Sequence, residues 1–161
     1  MKKTVAIGML GLALFSNRAA AQTAVEQAQI LGEFERSVVD YTQRHQCLAM
    51  FPEAINAATP APKLFTLPVA IVFRQLIAKA VAAPGETAIG HVGVTHHVAV
   101  LQPFPANELF DFPPVLSAAL PLLPEPLEYR LIGNDLVIRD ARADLIIAVL
   151  RDALGTFTTR H

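Results

Sequence analysis

The chain has 161 residues, 53% of them apolar and 17% charged, with a formal net charge of −1, one cysteine and no tryptophan. That length suits one ordinary domain with a real core, and a lone cysteine rules out an internal disulfide. The balanced charge argues against nucleic acid and against electrostatic docking on anionic lipid, because both rely on clustered Lys and Arg.

The first 21 residues read as a bacterial export signal. Lys2 and Lys3 give a basic start, Thr4 to Phe15 an uncharged apolar run, and Ala19-Ala20-Ala21 the small residues that a signal peptidase reads. The run is too short to cross a bilayer, which takes roughly 20 residues as a helix. Cleavage is expected near Ala21-Gln22, leaving residues 22–161 as one α+β domain in the periplasm or outside the cell. The alternative is a buried N-terminal helix. The only cysteine is Cys47, far from the cleavage site, so the product is expected to be soluble rather than lipid-anchored. Loss of Lys2, Lys3 and Arg18 takes the 13 basic residues to ten against 14 acidic, a net charge of −4.

Thr23 to Met50 has helical spacing. Leu31, Phe34, Val38, Tyr41, His45 and Leu48 recur three and four apart, so they share one stripe. Asp40 and Arg44 can pair on the exposed side. Pro52 to Lys63 reads as a connector, with room for a helical turn over residues 53–58. A second helix follows, with Thr66 as N-cap, Pro68 in the first turn, and a stop at Pro84-Gly85. Its stripe is Val69, Val72, Phe73, Leu76, Ile77 and Ala80.

Alternation at Val92, Val94, Val98 and Val100 predicts a strand over Val92–Leu101. Gln102 to Pro126 then holds seven of the 12 prolines and room for one short helix, Pro114 to Leu120. The C-terminal third predicts a β-hairpin: Leu127–Ile132, a Gly133-Asn134 turn, and Asp135–Asp140. Ala143–Leu154 suits either helix or strand, and Gly155 to His161 reads as a tail. The expected fold is α+β: two N-terminal helices packed on a small antiparallel sheet that includes the C-terminal hairpin, with Val92–Leu101 as its third strand.

Residues Leu127–Leu154, through Tyr129, Arg130, Gly133, Asp135, Leu136, Arg139, Asp140, Asp144, Leu145 and Ile146, resemble the C-terminal segment of a group of uncharacterised exported proteins of soil bacteria. Phe34, Val38, Asp40, Tyr41 and Phe65-Thr66 fit the same group. The resemblance implies export and a shared fold, and it implies no activity.

Four constellations bear on chemistry. His91, His96 and His97 are candidate metal ligands, although adjacent residues on a strand point to opposite faces. His45 and Cys47 lie about 200° apart on a helix and cannot pair as base and thiol, so a catalytic Cys47 would need a distant histidine such as His96 or His97. Asp135, Asp140, Asp144 and Asp152 read as ion-pair and turn-capping residues more readily than as an acid–base pair. Tyr129, Arg130 and Arg139 read as hairpin cross-strand pairs, or as an edge that recognises a partner strand. No cofactor motif is present. The function expected is non-catalytic: an envelope module that meets a protein partner or an apolar ligand through Phe104, Phe110, Phe112, Tyr129, Arg130 and Arg139. The alternatives are a small periplasmic hydrolase built on His96 or His97 with Cys47 or an acidic residue, and a metal-binding protein.

Overall fold

The computed structural model describes residues 12–48, 62–82 and 98–155, with side chains in the first helix described from 23 to 45. The architecture is α+β, as the sequence predicts: helices on one face of a C-terminal three-stranded antiparallel sheet.

Helix α1 runs Leu12–Leu48, starting earlier than the periodic pattern. At 1.5 Å per residue it is a rod about 55 Å long. Among its described side chains, those that meet the core lie at residues 30–41. Phe34, Val38 and Tyr41 are buried, Ile30 and Leu31 half-buried, and Thr23 to Glu26 exposed. Arg44 and Asp40 pair at 2.7 Å on the solvent side. Helix α2, Leu67–Val81, has Pro68 in its first turn. Thr66 holds the N-cap position with an extended backbone, but its side chain makes no capping hydrogen bond. Val69, Val72, Phe73, Ile77 and Ala80 are buried, as their spacing predicts. Phe73 lies 4.8 Å from Phe34 and 5.2 Å from Phe65, edge to face, a geometry that suits the ring quadrupole. A short 3₁₀ turn, Ala106–Glu108, and helix α3, Pro114–Ala119, punctuate the Pro-rich stretch.

Strands β1 (Leu127–Ile132) and β2 (Asp135–Asp140) pair in the predicted hairpin, from Ile132 opposite Asp135 to Leu127 opposite Asp140. The turn's positive φ, 57°, falls on Gly133, the first central residue, a backbone conformation that glycine adopts without strain. The ambiguous C-terminal run resolves as strand β3, Leu145–Leu150, which pairs with β2. A bulge after Ile138 sets Ile147 and Ala148 both into the helix-side core.

Of the strand expected over Val92–Leu101, residues 92–97 lie outside the described residues. Its described end is corrected: Val98 and Ala99 are not in a strand, Val100 and Leu101 form a turn with Leu101 at φ 67°, and the third strand of the described sheet is β3. Residues 101–104 nevertheless dock on the outer edge of β3. Leu101 N–H donates to the Ile146 carbonyl at 2.7 Å, Ile146 N–H to Gln102 at 2.9 Å, and Phe104 N–H to Asp144 at 3.1 Å. This docking builds a second, smaller core on the far face from Val98, Phe104, Ile132, Val137 and Ile146. Central strand β2 is therefore covered on both sides. No helix among the described residues is long and apolar enough to cross a membrane.

Candidate functional site

The first halves of α1 and α2 flank an open groove of about 430 Å³. Thr23, Glu26, Gln27 and Ile30 line it from α1; Leu67, Pro68, Ile71, Val72 and Gln75 line it from α2. Its lining is apolar at Ile30, Leu67, Pro68, Ile71 and Val72 and polar at Thr23, Glu26, Gln27 and Gln75. Leu67 is 74% exposed and Ile71 47%. Exposed aliphatic residues clustered on a helix are costly to leave in water, at about 25 cal/mol per Å². The volume lies within the roughly 300–1,000 Å³ range of small-molecule sites.

The groove was not among the sites expected from the sequence. One signal was available: Ile71 is a large aliphatic residue lying off the stripe that buries α2 against the core. Its meaning depends on where α1 lies, which periodicity within one helix does not record.

The predicted surface residues fall in three separate places. Phe110 is 60% exposed on the Pro-rich loop, beside exposed Leu109. Phe112 is half-buried and stacks on Tyr129 at 5.9 Å, on the helix side of the sheet. Phe104 is buried in the far-face core, so it does not contribute to an exposed surface. The Arg139 guanidinium lies over its ring at 5.2 Å.

The hairpin charges satisfy one another. Arg130 donates to both oxygens of Glu128, at 3.2 and 2.7 Å. Arg139 donates to Glu128 at 2.7 Å and to Asp144 at 2.6 Å. Asp135 accepts from Arg151 at 2.5 Å and from Asp152 N–H at 2.9 Å, and Arg151 also reaches the Val98 carbonyl. Asp140 is buried at the end of β2. It accepts the backbone N–H groups of Arg142 and Ala143, both at 3.0 Å, and the Tyr41 hydroxyl at 3.4 Å. These carboxylates cap turns and hold pairs; none faces a cleft beside a second acid.

Burial holds both tyrosine hydroxyls in the neutral form. The Tyr41 hydroxyl is pushed well above its ordinary pKa by desolvation and by the adjacent Asp140 carboxylate. Tyr129 is pushed up by desolvation, with a smaller push from Glu35. The Tyr129 hydroxyl is buried and, among the described residues, has no hydrogen-bond partner.

His45, the one histidine among the described residues, stacks on Tyr41 at 3.9 Å with Nδ1 3.2 Å from the Tyr41 carbonyl. The Cys47 side chain and His91, His96 and His97 lie outside the described residues. Among those described, no three His, Cys, Asp or Glu side chains converge as metal ligands. No protein family, curated protein or solved structure matches the chain.

Proposed function

We propose that this chain is an exported, non-catalytic module of the bacterial cell envelope that holds an apolar ligand in the groove between α1 and α2. The observation that carries the reading is that groove between two helices, lined by the apolar residues Ile30, Leu67, Pro68, Ile71 and Val72 together with Thr23, Glu26, Gln27 and Gln75. Its chemistry suits an acyl chain or similarly elongated apolar molecule, which gains by leaving water and needs only a few polar contacts for orientation. The charged hairpin residues are already committed to one another, which supports a binding role over acid–base work.

Export is supported by the basic start, the short apolar run and the Ala19-Ala20-Ala21 site.

The test is native mass spectrometry of protein recovered from the periplasmic fraction after expression of the full chain. The expected species begins at Gln22 and carries an apolar ligand that Ile71→Glu displaces. An uncleaved N-terminus would overturn the export reading. Ligand retained by folded Ile71→Glu protein, or no ligand in any preparation, would overturn the groove reading; a co-purified protein chain in the groove would replace the ligand with a partner helix.

A further inference from the structure

We propose that a second copy of this chain pairs antiparallel with the open edge of β1, on a two-fold axis through Tyr129. The two edges of the sheet differ. Residues 101–104 hydrogen-bond to the edge of β3, whereas β1 pairs with β2 alone.

The two-residue turn makes Ile132–Asp135 a hydrogen-bonded pair, so Ile132, Arg130 and Glu128 point their backbone groups at β2. The N–H and C=O groups of Leu127, Tyr129 and Leu131 point outward. Leu127 N–H is held by the Pro124 carbonyl at 2.9 Å. Among the described residues, no hydrogen bond reaches the outward groups of Tyr129 and Leu131. An edge in that state is a template for another strand.

The side chains choose the occupant. Residues 127 to 131 read Leu-Glu-Tyr-Arg-Leu, a run whose charges complement its own reverse. With two copies antiparallel and centred on Tyr129, Glu128 lies opposite Arg130 of the partner subunit, and Arg130 opposite the partner's Glu128, so the Arg130–Glu128 pair within each copy joins its symmetry mate in a cluster of alternating charge across the axis. These are non-hydrogen-bonded positions, where side chains are closest and opposite charges attract most. Sliding by two residues in either direction places Glu128 against the partner's Glu128, or Arg130 against the partner's Arg130. The neighbouring registers are thus penalised by like charge, and one register is selected. The same axis places the two Tyr129 backbones directly opposite each other, as a hydrogen-bonded pair. The interface is isologous and closes on itself.

This inference stands apart from the groove, and its test is separate. Sedimentation equilibrium of the purified protein should show a dimer. Arg130→Glu and Glu128→Arg should each weaken self-association at least about tenfold, because each puts like charges at both symmetric positions. An equimolar mixture of the two variants should restore the dimer as a heterodimer. Circular dichroism checks that each variant is folded. Hydrogen exchange supplies a second readout: the Tyr129 and Leu131 amides should slow as protein concentration rises. A wild-type monomer, a dimer indifferent to both substitutions, or folded variants that fail to complement would overturn the proposal. So would a monomer whose edge is protected only by another protein's extended segment.

Discussion

Asp140 is where α1 and the hairpin meet through single atoms. It is buried, and its carboxylate serves two turn amides and the Tyr41 hydroxyl. Asp140→Ala leaves those donors without partners and should cost about 2–3 kcal/mol in chemical denaturation. Tyr41→Phe removes one long hydrogen bond and should cost about 1 kcal/mol, whereas Tyr129→Phe deletes an unpartnered hydroxyl and should cost nothing or stabilise slightly. The two tyrosines also give a pH signature. Both hydroxyls have pKa values raised by burial, so the folded state keeps protons that the unfolded chain releases above about pH 10. Their contribution to stability is complete below that pH and is lost as pH rises beyond it. Because the chain has only two tyrosines, tyrosinate absorbance should appear only with alkaline unfolding. A native protein with an ordinary tyrosine titration near pH 10 would contradict the burial of both. The turn-capping role of aspartates was legible in the sequence, because capping is local chemistry. The bond from Tyr41 to Asp140 spans 99 positions and was not.

The hairpin is the element that sequence describes best. Its signal is local: two alternating runs around Gly133-Asn134, with the turn's positive φ on glycine. A Cβ at Gly133 meets nothing within 4 Å, so Gly133→Ala should cost only backbone strain, about 1 kcal/mol, measurable as a lower melting temperature. Strand β3 was ambiguous because Leu145–Leu150 is apolar on both faces, and an unbroken apolar run has neither helical nor strand period. At Val98 and Val100, the described end of the alternating valines, the strand expectation fails for the opposite reason. Alternation was present, but the chain turns at Leu101 and reaches the sheet edge through residues 101–104 instead. Where α1 and α2 flank the groove, Ile71 faces it rather than the core. Ile71→Glu should therefore leave the melting temperature nearly unchanged while abolishing ligand capture, a pairing that a core residue could not give.

At the scale of the whole molecule, one aromatic cluster joins the layers: Phe73 touches Phe34 and Phe65 and lies 6.3 Å from Tyr129. Phe73→Ala should cost about 3–5 kcal/mol, a large part of the roughly 5–15 kcal/mol that holds a domain together, and should lower every spectroscopic transition together. Separate transitions for helix and sheet would show that the cluster does not unite them. The layer order was legible from the stripes on α1 and α2, since each apolar face needs a cover. The second core was not, because Phe104 sits in a Pro-rich segment whose return to the sheet depends on long-range pairing. That return has a consequence for how copies of the chain can accumulate. A sheet with two bare edges can add molecules at both ends without limit, as fibres do. Here residues 101–104 already occupy part of the β3 margin. Among the described residues, strand addition is therefore obstructed at β3, and in the proposed pair it ends after one addition at β1, so crowding this protein should yield pairs rather than filaments.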